Sequence, residues 1–248
     1  MDAELSVAVA QPRITAGAVA ANVDAHAELI DQSHARLVVF PELSLTGYQL
    51  DASPIDIASA VMEPLTSACA ATGSTALVGA PVEYNGRRYI ATVLVDADGP
   101  VVVYRKTHLG ADEQRRFWPG SGPQAIHLDG WRIGLGICRD TSIDEHISGT
   151  AQLGVDLYAC GVVHHDWELA EQQRRARNIA AACRAPVAMA SFAGPTGEGY
   201  LSTAGHSAIW SAKSTLMAQT GSGPSQIAHA MLTRGQAQDT TAGLTLDT

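Results

Sequence analysis

The chain lacks closely spaced cysteines, runs of basic residues and long apolar stretches, and each absence disfavours a class of protein. Its four cysteines, Cys69, Cys138, Cys160 and Cys183, lie far apart and form no CxxC pair. That spacing disfavours a disulfide framework, a zinc site and thiol redox chemistry. No run of lysine and arginine stands out in a chain of net charge -9, so we expect no nucleic-acid partner. No apolar stretch approaches the roughly 20 residues that span a bilayer, so we expect no membrane association.

The composition is that of a globular protein of enzyme size. Of the 248 residues, 46% are hydrophobic and 17% are charged, which suffices for a well-filled core. Asp2 and Glu4 stand where a signal peptide carries basic residues, so we expect a cytoplasmic protein. No repeat or linker divides the chain. Residues 1–234 are therefore predicted to form one domain, and the polar residues 235–248 a mobile tail.

Helical periodicity alternates with short apolar runs along the chain. Helices are predicted at 18–33, 59–72, 142–152 and 167–184. Strands are predicted at 5–10, 37–40, 76–83, 89–96, 101–105, 125–128, 131–137, 155–159, 187–191, 207–210 and 214–218. The Asn85-Gly86 and Asp129-Gly130 pairs indicate hairpins that interrupt a simple alternation of strand and helix. This order favours two mixed sheets packed face to face with helices outside, over one doubly wound sheet.

Three reactive side chains each follow an apolar run. Cys138 ends the run 131–137 and precedes a predicted helix, Glu42 follows 37–40, and Lys106 follows 101–105. The amide groups and dipole at a helix N-terminus favour a thiolate at the position of Cys138. A thiol, a carboxylate and an ammonium can supply a nucleophile, a general base and an oxyanion stabiliser. These three residues are therefore candidate catalytic groups.

Several segments resemble, in order, the motifs of the nitrilase (carbon–nitrogen hydrolase) superfamily. Residues 39–48 (VFPELSLTGY) resemble its glutamate motif, 105–109 (RKTHL) its lysine motif, and 136–140 (GICRD) its cysteine elbow. Glu113, followed by 117–120 (FWPG), resembles its accessory glutamate loop. Residues 154–157 (GVDL) and 205–207 (GHS) match later signatures. The resemblance covers nearly the whole chain.

The resemblance implies an α/β fold, a four-layer αββα sandwich of two mixed sheets flanked by helices. It also implies a homodimer or larger homo-oligomer, no cofactor, and hydrolysis of a non-peptide C–N bond through a thioester. In that chemistry Cys138 attacks, Glu42 moves protons, and Lys106 stabilises the oxyanion together with the backbone N–H of Arg139. Glu113 orients Lys106 or the substrate.

The chain departs from the family pattern directly after the cysteine. Family members often carry Arg-Phe-Pro-Glu there, whereas this chain reads RDTSIDE over residues 139–145. Arg139 either binds a substrate carboxylate or pairs with Asp140 or Glu145, and both interpretations stay open. The unusual residues after the nucleophile are where we expect substrate choice to be determined.

Four further side chains are candidates for substrate contacts. Tyr48 and Trp118 flank the motifs and either line the pocket or serve only in packing. His164 and His165 follow a predicted strand and are expected near the pocket mouth. Because adjacent residues on a strand point to opposite faces, the two histidines would chelate a metal poorly, and we predict no metal site.

The predicted function is hydrolysis of a small linear amide to ammonia and a carboxylate. An N-carbamoyl amine or amino acid hydrolase is the alternative within the family. A nitrilase is disfavoured because its cysteine is generally followed by Trp-Glu rather than by Arg139-Asp140. A catalytically silent binding or scaffold protein on the same fold is the alternative from another class, and the complete set of three groups argues against it.

Overall fold

The computed structural model describes residues 4–234, which form twelve strands and four helices. The strands are β1 (Glu4–Gln11), β2 (Leu37–Val39), β3 (Thr75–Tyr84), β4 (Arg87–Asp96), β5 (Gly99–Arg105), β6 (Ala125–Leu128), β7 (Trp131–Ile137), β8 (Leu157–Val162), β9 (Val187–Ser191), β10 (Ala208–Trp210), β11 (Leu216–Gln219) and β12 (Gln226–Thr233). The helices are α1 (Val19–Ser33), α2 (Glu63–Thr72), α3 (Asp144–Gln152) and α4 (Leu169–Cys183).

The strands form two six-stranded mixed sheets. The first has the order β12-β1-β2-β3-β4-β5 and the second β11-β10-β9-β8-β7-β6. Apolar side chains of both sheets, such as Val39 and Ile137, share one buried cluster between them. Two further clusters join the first sheet to α1 and α2, and the second sheet to α3 and α4. The predicted four-layer αββα sandwich is confirmed.

Local sequence accounts for the turns that set the strand register. Asn85 and Gly86 join β3 to β4 with φ values of 51° and 70°, as a two-residue hairpin with a type I′ turn requires. Helix α2 ends at Thr72, and Gly73 follows it with a φ of 69°, the left-handed conformation common after a helix. These positions behave as their residue types predict.

Several elements differ from the predictions in their bounds. Helix α2 begins at Glu63, four residues later than predicted, because residues 60–62 form a separate 3₁₀ turn. Strand β8 begins at Leu157, two residues later than predicted, because Val155 and Asp156 form the approach to it after a turn. A separate 3₁₀ turn, Cys138–Ser142, precedes α3. Strand β12 was not predicted, and it pairs along the whole length of β1 in antiparallel orientation. Because the partner of this edge strand is distant in sequence, no local pattern predicts the pairing.

The sheet topology brings the carboxyl ends of several strands together. In the first sheet β2 is parallel to β3, and β5 runs in the same direction because it is separated from β3 by one antiparallel strand. In the second sheet β7, β8 and β9 are parallel. Loops that follow β2, β5, β7 and β8 can therefore meet at one edge of the sandwich.

The predicted tail at 235–248 lies outside the described residues. Within residues 4–234, every helix is too short or too polar to cross a membrane. The expected homo-oligomer and the cytoplasmic location stay predictions.

Candidate active site

Glu42 lies in a tight turn that follows β2. Gly79 on β3 and Gly161 on β8 approach the backbone of this turn so closely that a Cβ at either position would overlap it. Leu43 adopts a left-handed conformation with φ of 50°, and the amide of Leu45 donates to the carbonyl of Gly79 at 3.0 Å. Both sheets thus pack against the turn and fix the position of Glu42, which is 1% exposed.

Lys106 follows β5 and is buried between two carboxylates. Its Nζ donates to Oε1 of Glu42 and to Oε1 of Glu113, both at 2.6 Å. Glu113 also accepts from the hydroxyl of Tyr48 at 2.8 Å and, through Oε2, from the amide of Gly110 at 2.7 Å. Glu113 is therefore fully hydrogen-bonded, and its position fixes the ammonium of Lys106. Oε2 of Glu42 is buried and has no partner among the described residues, so it is the carboxylate oxygen that remains for chemistry.

Cys138 lies at the junction of β7 and the 3₁₀ turn that follows. Its φ of 41° places it in the left-handed region, where a residue other than glycine is uncommon. The half-buried thiol donates to the carbonyl of Val163, just after β8, at an Sγ–O distance of 3.4 Å. The strained turn and this hydrogen bond fix the direction of the sulfur at the edge of the second sheet.

The charges of the cluster alter the pKa of each member. Burial and the charge of Glu113 raise the pKa of Glu42 to about 7, against the lowering effect of Lys106. Burial and the negative charge of Glu42 raise the pKa of Cys138 above its ordinary value, against a smaller lowering effect of Lys106. Burial lowers the pKa of Lys106, but the neighbouring negative groups outweigh it, so the net pKa is raised and the ammonium stays charged.

A helix N-terminus was expected to favour a thiolate at Cys138, but the surroundings of the sulfur favour the neutral thiol. The turn that follows the cysteine is only five residues long, and α3 begins six residues after Cys138. A short 3₁₀ turn provides little dipole, whereas burial and an adjacent carboxylate both favour the neutral thiol. A neutral thiol is a poor nucleophile, so a nucleophilic role for Cys138 would require a base.

Asp140, which is completely buried, connects the loop after β5 to the turn after β7. Its Oδ1 accepts from the backbone amide and from Nδ1 of His108, at 2.8 and 3.0 Å. Its Oδ2 accepts from the amide of Ile137 at 3.1 Å and from the hydroxyl of Tyr104 at 2.8 Å. One carboxylate thus fixes the distance between the segments that carry the lysine and the cysteine.

An aromatic wall of Tyr48, Tyr200, His165 and Trp167 runs from the carboxylate cluster to the surface. The rings of Tyr48 and Tyr200 meet edge to face at 5.3 Å, and Tyr200 stacks on His165 at 4.2 Å. His165 stacks in turn on Trp167, which is 74% exposed. The contact with Tyr48 places Tyr200 near the cluster, and burial raises its pKa, so its hydroxyl is neutral.

His164 is directed away from the cluster, unlike His165. It is 3% exposed, and its Nδ1 lies 3.1 Å from Oε1 of Gln172 on α4. Burial and the nearby Arg175 lower its pKa to about 4. The structure therefore gives His164 a place in the packing of α4. Among residues 4–234, no three His, Cys, Asp or Glu side chains are grouped to hold a metal ion.

Trp118 and Arg139 do not join the cluster either. Both line a separate cavity, whose walls include none of the three candidate catalytic groups or Glu113. In the described chain Arg139 forms no ion pair with Asp140 or Glu145, so that alternative is wrong. The carboxylate of Asp140 is already occupied by hydrogen bonds from elsewhere.

Two side chains of this region were not predicted from the sequence as part of the site. Asp140 was considered only as a partner for Arg139, although a buried acid two residues after a candidate nucleophile is a signal that could have been used. Tyr200 lies in an irregular loop with no motif, and only the folded chain brings it to the cluster.

The chain is similar in sequence to curated proteins and similar in fold to solved structures. The (R)-stereoselective amidase of Pseudomonas sp. is 33% identical over 125 residues, which cover 49% of this chain and 46% of that protein. The match thus spans less than half the length of that relative. Solved structures of Saccharomyces cerevisiae Nit3 and of the amidase from Nesterenkonia sp. AN1 both have a TM-score of 0.82 at 21% identity. Both matches cover 93% of this chain; they cover 90% of Nit3 and 91% of the amidase. At 21% identity this similarity supports the fold alone.

The family assignment comes from a match to the whole domain. The carbon-nitrogen hydrolase family model matches residues 6–242, which include every strand and helix described above except the first two residues of β1. The motifs at Glu42, Lys106 and Cys138 lie within this match. The chain belongs to the carbon–nitrogen hydrolase family.

Proposed function

We propose that the protein is an amidase that converts a small linear carboxamide to a carboxylate and ammonia through a thioester on Cys138. One observation carries the proposal. The ammonium of Lys106 is held between Glu42 and Glu113, while Oε2 of Glu42 is buried without a partner near a half-buried thiol. A carboxylate, an ammonium and a thiol at one edge of the sandwich support the roles of base, oxyanion stabiliser and nucleophile.

The first half of the reaction forms the thioester. Sγ of Cys138 attacks the amide carbon as its proton passes to Glu42, and the carbonyl π electrons move to oxygen. Lys106 and the amide of Arg139, near the start of a short turn, stabilise that oxyanion. When the oxyanion collapses, the C–N bond breaks and Glu42 returns the proton to the leaving nitrogen, which departs as ammonia.

The second half releases the carboxylate. Glu42, again ionised, takes a proton from water as the water oxygen attacks the thioester carbon. The C–S bond then breaks, and the thiolate regains a proton from Glu42. Glu113 acts through Lys106, because its contacts with Tyr48 and Gly110 fix the ammonium. A structural neighbour supports the nucleophilic part of this chemistry: a mutant of the Nesterenkonia amidase carries the acetamide moiety of fluoroacetamide, covalently added at its active-site cysteine.

Trapping the acyl adduct tests the proposal directly. Rapid acid quenching of the wild type during turnover should trap an acyl group on the Cys138 peptide, because the thioester forms before water attacks it and acid removes the base for its hydrolysis. Incubation with a panel of amides, N-carbamoyl compounds and nitriles, followed by peptide mass spectrometry, identifies the substrate class. Cys138→Ala is the matched control and should carry no adduct.

Other outcomes of this panel decide against the amidase. A carbamoyl adduct, with carbon dioxide released by the wild type, would establish the carbamoyl hydrolase instead. No adduct on quenched wild type, together with no ammonia released across the panel, would support the silent scaffold.

The pH dependence of kcat/KM follows from the raised pKa of Glu42. Only the ionised carboxylate accepts the thiol proton, and protonation below its pKa removes the base. With a pKa of about 7, log kcat/KM should rise with unit slope from pH 5 to near 7 and then level off. Initial rates at low substrate measure it, with circular dichroism at each pH as the control for folding. A flat profile between pH 5 and 9 would exclude Glu42 as the titrating base.

A further inference from the structure

A second cavity, of about 630 Å³, lies beside the candidate active site. Its walls come from the residues that follow Lys106, Glu113 and Cys138: 107–109 follow the lysine, 114–119 the glutamate, and Arg139 and Ile143 the cysteine. The catalytic side chains themselves do not line it. Its volume is that of a site for a small organic molecule. It is therefore distinct from the carboxylate cluster but in contact with the same three loops.

The charge of this cavity is positive, although the whole chain carries a net charge of -9. Arg115, Arg116 and Arg139 line it together with His108, and no acidic side chain does. Arg116 is neutralised at the surface by Asp51. Arg115 is paired with Asp112 at 3.4 Å, where both are largely exposed.

Arg139 is the cation of the cavity that lacks a counter-charge. It forms no ion pair within residues 4–234, and its side chain is exposed to the opening. A planar guanidinium with free N–H groups binds a carboxylate through two parallel hydrogen bonds. One uncompensated charge matches a monoanion.

The rest of the wall is apolar and partly aromatic. Leu109 and Phe117 are buried behind it, and Ile143 is partly exposed. The indole of Trp118 is 51% exposed and lies 4.2 Å from the guanidinium of Arg87. An exposed indole beside apolar side chains offers a surface for a flat hydrophobic group. An inorganic anion would leave this surface in contact with water.

We propose that this cavity binds a small organic carboxylate with a flat apolar body, its carboxylate on Arg139 and its body against Trp118. A carboxylate of this kind is also what the proposed amidase reaction would release. Only that link to the source of the ligand rests on the proposed function, because binding itself requires no turnover. Occupancy would contact the three loops that carry the lysine, the accessory glutamate and the cysteine.

Titration calorimetry with sodium benzoate tests the proposal on protein whose Cys138 carries an acetamide group from iodoacetamide, verified by peptide mass spectrometry. The adduct fills the space at the thiol, so benzoate cannot use it. We expect benzoate to bind this protein. Neutral benzamide, acetate and inorganic phosphate should bind at least about 10-fold more weakly than benzoate. Loss of benzoate binding on alkylation would overturn the proposal, because the ligand would then occupy the catalytic pocket.

Two substitutions assign the binding to the two walls. Arg139→Gln should weaken benzoate binding about 10-fold or more, and Trp118→Ala should weaken it about 5-fold or more. Arg177→Gln removes the same charge from an exposed position on α4 and should leave binding unchanged. Equal affinity in Arg139→Gln and the wild type would refute the assignment, and thermal melting of each variant verifies that it is folded. Absence of ammonia release by the wild type would contradict the amidase but leave this measurement intact.

Discussion

Replacement of Cys138 by alanine is expected to lower ammonia release by roughly 10⁴-fold or more while leaving the protein folded. The substitution removes the proposed nucleophile. The other thiol of this region, Cys160 on β8, is buried, and burial raises its pKa well above the ordinary value, so it should not replace Cys138. The stability cost should stay within about 1 kcal/mol, since the sulfur is half-buried and makes one weak hydrogen bond, to Val163. Amide turnover and thermal melting of the purified variant measure the two effects.

Cys183→Ala is the matched control for this result. Cys183 is also half-buried, and its thiol makes only a long contact with the carbonyl of Ile147, at 3.9 Å. Burial raises its pKa to about 11, so we expect an inert thiol at the end of α4, where it packs near α3. This variant should keep full activity. Full amidase activity in Cys138→Ala would remove the thioester from the mechanism altogether.

Replacement of Lys106 by methionine is expected to lower kcat by about 100- to 1000-fold, the usual cost of one oxyanion donor. It should also destabilise the fold, because the carboxylates of Glu42 and Glu113 lose the ammonium that lies between them. Breaking a buried ion pair by removing one partner costs about 3 kcal/mol or more. Methionine has nearly the volume of lysine, so packing is largely kept and the charge is what changes.

The loss of stability in Lys106→Met should depend on pH in a definite direction. Without the ammonium, the pKa of Glu42 rises further above its unfolded value. A carboxyl group with a raised pKa binds more protons in the folded state, so stability falls as pH increases. The variant should therefore lose more unfolding free energy at pH 8 than at pH 5.5, as urea titrations can measure.

Lys213, the other lysine of the chain, provides the control. It is exposed in the turn between β10 and β11, so Lys213→Met should change neither kcat nor the pH dependence of unfolding. A Lys106→Met variant equally stable at pH 5.5 and 8 would show that the two carboxylates do not depend on its charge.

Much of the fold could be predicted from the sequence because its signals are local. The Asn85-Gly86 turn specifies a hairpin by itself, and the apolar run 131–137 specifies a buried strand. Strand β12 could not be predicted, since its exposed and buried residues acquire meaning only through pairing with β1, more than two hundred residues away. The start of β8 was misplaced because valine suits either a strand or the approach to one.

The candidate site divides in the same way. The sequence placed Glu42, Lys106 and Cys138 at the ends of apolar runs, and the structure places them after β2, β5 and β7. It did not reveal the role of Asp140 as a connection between two loops. Nor did it separate His165, in the aromatic wall, from the adjacent His164, in the packing of α4.

The sequence by itself determined the reactive groups, their order and the family they resemble, because each is encoded in a few neighbouring residues. The tertiary structure decided their state. It placed Lys106 between two carboxylates, raised the pKa of Cys138, and directed Arg139 into a cavity of its own. The physical reason is that burial and the distances between charges depend on how the two sheets pack, and no short segment contains that information.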